Sequence, residues 1–479
     1  LAGRETRINL EHVLALFDAR FMAMNAPLPF VGAERVRPNT VVDVTATGPA
    51  TTHVGPLREE PELPLSTRGL ADALREELEA AVARECAGTH GIAVLAGGGV
   101  DSSNLLAVAV RNARRVGLAE PIPLALDYGG EGDDRPHLRA VCRHLGIEPL
   151  RVAPAEGAPY AGQERVVDGA VQGTAPSSTV IAAMVRAKAA GAERVLSGEG
   201  SEWILDSAPA VFGDFLLRHP TSAIWCAWRF RSSYETRPQT WRRLVFGPGL
   251  RLVIPTRLLD QRRRYIDQRT GLANSRTLGW AGPRLRAFLT ARRDCPSPPP
   301  IQSQHDRVAQ LASSALPVLL RESCSRWEIA GGLPMSFPYL DDDFLRFVAR
   351  IPSAAIFAGH RERGLLRESM ENLVPDSVRY RTDKARPYRA FADLFRAVGG
   401  RDSVKDLITM RELEGLGIVD AERFNTAFDR FAADPDADAS CWWTLWPAIT
   451  SEAYIRWFKA FTAGTGRQTL THLAAMAPS

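Results

Sequence analysis

The sequence predicts an α/β fold: a parallel sheet flanked by helices, followed by a largely helical C-terminal part. Three observations carry this expectation. Short apolar stretches alternate with helical ones between residues 91 and 198, the pattern of β-α-β units. Glycine clusters close two of those stretches, Gly97-Gly98-Gly99 and Gly198-Glu199-Gly200. After residue 305 the periodicity is helical, ending in the aromatic-rich CWWTLWPAITSEAYIRWF.

Taken in order, Leu10 to Met24 has a helical pattern and VRPNTVVDVTA reads as strand, so residues 1–60 look like the tail of something larger. EEPELPL (59–65) reads as a linker. Ser66 or Thr67 caps a helix that carries Leu70, Leu74, Leu78 and Val82 on one face. Strands are expected over 91–97, 121–128, 148–153 and 193–198. Helices are expected over 101–114, over 135–145 with Gly146 as its stop, and over 177–190. Asp133 and Asp134 stand where they would cap the second of these helices. Residues 203–300 are less regular and hold five of the ten tryptophans among many arginines. The stretch 225–293 reads as solvated helices with buried aromatics, or else as a grip on a peptide or nucleic acid.

Bulk properties narrow the class. A chain of 479 residues exceeds one ordinary core and implies two or three domains. No run approaches the ~18 apolar residues of a membrane span, and LAGRETRINL lacks the layout of a signal peptide, so a cytoplasmic location is expected. The six cysteines are widely spaced with no C-x-x-C pair, which argues against zinc and for a reducing compartment. A net charge of +4 gives no reason to expect nucleic acid. Only four of the 59 basic residues are lysines (Lys188, Lys384, Lys405 and Lys459), so a lysine at a motif position is not filler.

The loop VLAGGGVDSSNLL holds the chemistry. Three glycines let the backbone turn tightly and present consecutive N–H groups, and the helix that follows adds its unsatisfied N–H groups and positive dipole end. That arrangement suits a phosphate. Ser102 and Ser103 could add hydroxyl donors. Asp101 would repel a bare phosphate and fits if a divalent cation lies between. A glycine-rich turn with Asp101 as N-cap is the alternative reading. The spacing matches neither G-x-x-x-x-G-K-[ST] nor G-x-G-x-x-G.

Gly97-Gly98-Gly99-Val100-Asp101-Ser102-Ser103 resembles the S-G-G-x-D-S pyrophosphate loop of N-type ATP pyrophosphatases, with Gly97 in the serine's place. Four further segments are similar to those of the asparagine-synthetase-like branch. LSGEGSEW (196–203) resembles S-G-E-G-A-D-E, with Glu202 for Asp and Trp203 for Glu. SRWEIAGGLPMSFPYLDDDF (325–344) resembles D-R-M-x-M-A…V-P-F-L-D. HRERGLLRESM (360–370) resembles the K-x-x-L-R helix, with Arg363 for lysine. VPDSVRYRTDKA (374–385) resembles P-x-x-V-x-x-R-x-K, with one extra residue before Lys384. The blocks fall in family order across about residues 60–460.

The resemblance implies an ATP-dependent ligase that adenylates a carboxylate, releases pyrophosphate and joins the acyl group to an amine. It implies ATP on Gly97, Gly98, Gly99, Val100, Asp101, Ser102, Ser103, Leu126, Gly198 and Glu199, with Mg²⁺ on Asp101 and Glu202. It makes Lys384 and Arg363 catalytic candidates and Arg367 a further phosphate candidate. Glu328, with Tyr234 or Tyr339, could deprotonate the amine, or could form a plain ion pair. By the same likeness residues 1–60 are the tail of an N-terminal α+β glutaminase-like domain without its catalytic cysteine. Residues 61–479 form the synthetase domain, with 203–300 as a substrate-binding insert. The chain looks most like a lasso-peptide macrolactam synthetase, whose partners would be a precursor peptide, a leader-binding protein and a leader peptidase. An asparagine synthetase or β-lactam synthetase type of small-molecule ligase is the other expectation.

Overall fold

A computed structural model describes residues 7–18, 21–22, 27–46, 48–53, 57–127, 133–160, 178–232, 235–249, 278–291, 301–382, 392–393, 395–397, 399–435 and 442–462. The N-terminal part contributes a short helix, Leu10–Ala15 (α1), and an exposed antiparallel hairpin, Thr40–Thr45 (β1) with Gly48–His53 (β2). Val13 and Leu14 of α1 pack among residues of the C-terminal helices. The Tyr454 hydroxyl donates to the Pro29 carbonyl at 2.9 Å. The start of the chain is thus fastened to its far end.

Helix Thr67–Glu85 (α2) begins where expected. The Ser66 hydroxyl accepts from Gly69 N–H at 3.2 Å, and Leu70, Leu74, Leu78 and Val82 are buried on its inner face. Strand Ile92–Leu95 (β3) follows and lies at the centre of a five-stranded sheet. Its companions are Ile122–Leu126 (β4), Leu150–Val152 (β5), Arg194–Leu196 (β6) and Met335–Ser336 (β7), in the order β5-β4-β3-β6-β7. All four pairings are parallel. Side chains alternate between faces. Ile92, Val94, Ala125 and Leu196 join the core shared with α2, Val100–Val116 (α3) and Arg135–Leu145 (α4). Ala93, Leu124 and Val195 face Ser178–Ala189 (α5) and part of the 316–331 helix. Helices on both faces favour apolar residues in the short strands, most fully in β3 and β4, which is why these stand out in the sequence.

The order of strands locates the site. The chain runs from β3 outward through β4 to β5, then returns to the other side of β3 for β6 and β7. The reversal lies between β3 and β6, and a crevice opens there beyond the carboxyl ends of the strands. Both glycine clusters follow those two ends. The fifth strand was not expected from sequence: two residues carry no period to read.

Beyond β6 come Ser201–Leu205 (α6), Pro209–Arg218 (α7) and Pro220–Arg229 (α8). The expected burial of aromatics fails in α8. This helix turns Ala223, Cys226 and Ala227 inward and leaves Ile224, Trp225 and Trp228 exposed. Small residues allow close helix packing, so the bulky ones face out. Arg229 and Arg237 stack over the two indoles, at 5.4 and 5.8 Å from the ring centroids. Trp280 instead is buried in a C-terminal core with Pro283–Ala291 (α9), Ala421–Ala433 (α14) and Trp442–Thr462 (α15). Between them run Gln304–Ala312 (α10), Leu316–Gly331 (α11), Asp342–Ala349 (α12) and Gly364–Ser369 (α13).

Cys86, Cys142, Cys226 and Cys324 are buried free thiols. Burial pushes Cys86 and Cys142 up to about 11, and Cys226 and Cys324 up to about 12. Thiolate is therefore scarce at these positions at pH 8. With Ellman's reagent at that pH, the native chain should release no more than the equivalent of Cys295 and Cys441, and all six thiols after denaturation.

Candidate active site

The turn after β3 is built from three glycines with different duties. Gly98 has φ +81°, the left-handed region, and a Cβ there would lie 2.7 Å from both Asp134 O and Leu138 N at the start of α4. Gly97 would meet nothing nearer than Asp134 Oδ2 at 3.5 Å, and Gly99 nothing nearer than Ser102 Oγ at 3.9 Å. The loop is closed by its own hydroxyl, since Gly97 N–H donates to Ser102 Oγ at 3.3 Å. Arg381, buried, donates to Gly98 O at 2.8 Å and to Asp134 Oδ1 at 2.7 Å. This brace joins the loop to the segment that leads to Lys384. Asp133 caps α4 locally: Arg135 N–H donates to its Oδ1 at 2.9 Å, and the Arg135 guanidinium holds its carboxyl below the usual range.

Helix α3 starts directly on Gly99, so Val100 and Asp101 occupy its first turn. The Val100 side chain is buried. Ser103 is fully buried as well, so its hydroxyl faces the core rather than the crevice. Of the two serines expected as donors, Ser102 is the one at the loop. Leu126 ends β4 and is half-buried at the crevice side of the sheet.

The second glycine cluster meets the first. A Cβ on Gly198 would sit 3.2 Å from Ser102 N, so the turn after β6 presses on the first turn of α3. Gly200 has φ +94° and starts α6, which carries Glu202 in its first turn; Glu199 and Glu202 are exposed. Arg307 on α10 fixes this short helix. Its Nε donates to Trp203 O at 2.7 Å and its Nη2 to Glu202 O at 2.8 Å, while Nη1 bonds Asp206 O. Burial lowers the guanidinium to about 10 against the attraction of Asp206, and it stays protonated at neutral pH. Nothing in the sequence separates Arg307 from the many other arginines. Arg307→Ala leaves three part-buried carbonyls without that donor and should cost about 3 kcal/mol in denaturant unfolding. Arg307→Lys should recover part of the loss, because one ammonium cannot span the same three acceptors.

Arg363 joins the two halves. Its Nη1 is paired with Asp101 Oδ2, and its Nη2 lies 3.6 Å from Glu202 Oε2. Burial alone would lower its pKa, but the charges of Asp101, Asp206 and Glu202 outweigh that and raise it. Asp101 Oδ1 is buried with no hydrogen-bond partner among the described residues. Behind it, the Tyr339 hydroxyl donates to Asp101 O at 3.1 Å.

The remaining candidates have other partners. Tyr339 is fully buried on Asp101, and burial holds its hydroxyl well above the usual range. Met335 N–H donates to Glu328 Oε1 at 2.7 Å, so one oxygen of that carboxylate already tethers β7. The Arg367 guanidinium donates to Glu362 O at 2.9 Å and Arg379 O at 2.5 Å and is buried. It shapes the backbone instead of meeting the crevice. Lys384 and Tyr234 lie outside the described residues.

Among the described residues no group of three or more His, Cys, Asp or Glu side chains is placed to hold a metal ion by itself. Asp101 and Glu202 nevertheless fit Mg²⁺ in the manner of nucleotide sites, where one or two carboxylates share the ion with phosphates. The orphaned Oδ1 of Asp101 gives the same indication.

A doubly wound parallel sheet, with a glycine turn and paired acids at its switch point, defines a nucleotide-binding α/β protein. The asparagine synthase family model matches residues 73–456, and the chain belongs to that family. No curated protein matches the chain. The family places it among ATP-dependent amide ligases. Among the described residues no helix is long and apolar enough to cross a membrane.

Proposed function

We propose that the chain is an AMP-forming ligase that activates a carboxylate on ATP and closes an amide within one substrate molecule, as a lasso-peptide macrolactam synthetase does. The reading rests above all on one observation: Asp101, at the mouth of the glycine turn, and Glu202, beyond the switch point, meet at the one guanidinium of Arg363. A carboxylate oxygen of the substrate attacks the α-phosphorus. The bond from that phosphorus to the bridging oxygen breaks, and pyrophosphate leaves. The substrate's amine then attacks the acyl carbon, AMP departs, and the amine proton passes to a base.

The N–H groups of the Gly97–Gly99 turn and the start of α3 would hold the departing pyrophosphate, which is where charge builds up. Asp101 and Glu202 would hold Mg²⁺, which neutralises phosphate charge when bound. Lys384 would neutralise charge at the α-phosphate and then at the acyl centre. Residues 1–60 are read as the end of a glutaminase-like unit and 203–300 as the part that receives substrate. The exposed Trp225 and Trp228 with their stacked arginines support a peptide as that substrate. A precursor peptide, its leader-binding protein and a leader peptidase are the partners this reading requires, at a cytoplasmic location.

The test is mass spectrometry of a candidate precursor, such as one encoded beside this chain's gene, incubated with chain, ATP and Mg²⁺. Loss of one water with matched AMP and pyrophosphate supports the cyclase. AMP production with aspartate and ammonia, or with a small β-amino acid, would point to a small-molecule ligase. ADP as product would end the adenylation reading.

A further inference from the structure

Arg363 stands between the two carboxylates to which the ligase reading gives the metal. One guanidinium reaches both, touching Asp101 Oδ2 and lying 3.6 Å from Glu202 Oε2. The backbone under each acid is held. Asp101 is fixed in the first turn of α3, with its carbonyl held by Tyr339. The backbone of Glu202 is held by Arg307. The base of Arg363 is fixed as well. Its φ of +55° is left-handed, and the next residue must be glycine, since a Cβ on Gly364 would lie 2.0 Å from Ala358 O. What can turn is side chain: the guanidinium arm of Arg363 and the exposed arm of Glu202.

We propose that Arg363 is a tethered counter-ion for the Asp101–Glu202 pair, so that a divalent cation is excluded from the free chain and enters only together with the nucleotide. The proposal rests on the ligase reading for the identity of that nucleotide. A free divalent ion approaching the acids meets at short range a positive charge already placed there, on a guanidinium that is itself mostly buried beside Asp101 and so less screened than a surface charge. A triphosphate changes the balance. Its oxygens match the planar guanidinium fork at least as well as the carboxylates do. Once the fork turns to phosphate, both acids face the ion that the phosphates carry. Asp101 Oδ1, buried and unpartnered among the described residues, then gains a partner. A lysine at position 363 could neutralise one acid as a point charge; the arginine fork spans two.

Mn²⁺ is the probe, because its free ion gives a strong electron paramagnetic resonance signal that binding broadens. The full chain without nucleotide should leave that signal unchanged at Mn²⁺ concentrations where Arg363→Ala binds one ion per chain. The affinity gap is expected to be on the order of 100-fold. Arg363→Ala with Asp101→Asn should lose the new site. Adding a non-hydrolysable ATP analogue should let the unaltered chain take up Mn²⁺ beyond what the analogue binds alone. Arg363→Gln, which keeps much of the side chain's bulk without its charge, guards against loss of folding in the alanine variant and should bind like it. Equal Mn²⁺ binding by the unaltered chain and both variants, or no binding by either folded variant, overturns the proposal. Pyrophosphate release is measured separately. A chain that releases pyrophosphate yet binds Mn²⁺ freely sinks the counter-ion alone. A chain that excludes Mn²⁺, with both variants binding it, but never releases pyrophosphate sinks the ligase reading alone.

Discussion

Lys384→Ala is expected to abolish ATP-dependent amide formation, lowering the rate by about 10³-fold or more, while nucleotide still binds at the glycine turn. Lysine is scarce in this chain, and Lys384 falls in the segment that resembles the family's closing loop. Arg381, three residues earlier, is pinned to Gly98 O and Asp134 Oδ1. In the proposed reaction an ammonium would serve as a compact charge on a flexible stem. Lys384→Arg should therefore restore only a small part of the activity. Gly97→Ser is the opposing control. Its added Cβ meets only Asp134 Oδ2, at 3.5 Å, an ordinary contact, and its hydroxyl restores the family's donor. Activity should stay within a few-fold. Pyrophosphate release and dehydrated product, measured side by side, decide the matter: an active Lys384→Ala with an inactive Gly97→Ser would overturn the assignment.

The parts of the fold that could be read from sequence are those where local pattern and tertiary role coincide. Strands β3 and β4 are buried on both faces and β5 and β6 carry one arginine each, so each reads as a short, mostly apolar run near a glycine or proline. The stripe Leu70, Leu74, Leu78, Val82 faces the core because it holds the large apolar side chains of α2. Three glycines in a row marked the loop, although steric need is concentrated at Gly98. Long-range pairing could not be read. Arg363 meets Asp101 across 262 residues of chain, and no spacing rule connects them. Arg307 is buried against backbone carbonyls in a sequence where arginine is so common that it did not stand out, and Arg367, expected at phosphate, is buried against carbonyls instead, as is Arg381. Helix α8 misled for a different reason. Its periodicity was helical, but periodicity does not say which of two apolar faces, small or bulky, meets the core.

Gly98→Ala is the second large effect, and it separates folding of the loop from its chemistry. The new Cβ would lie 2.7 Å from two backbone atoms, Asp134 O and Leu138 N. Neither can retreat without lifting the first turn of α4, which Arg381 and Arg135 hold in place. The φ of +81° adds the left-handed cost of an L side chain. Together these should lower stability by roughly 3 kcal/mol in denaturant titration, with nucleotide affinity falling as the loop deforms. Gly99→Ala makes the comparison. Gly99 has φ −70° and ψ 164°, which alanine adopts freely, and its Cβ would find Ser102 Oγ no nearer than 3.9 Å. Stability should change by no more than about 0.5 kcal/mol. The methyl would nonetheless stand at the entrance to α3, where phosphate must approach the N–H groups. Nucleotide affinity should therefore fall in a chain that melts normally. If Gly99→Ala binds nucleotide unchanged, the phosphates do not rest on this turn, and the three glycines answer only to the packing of α4 against the sheet.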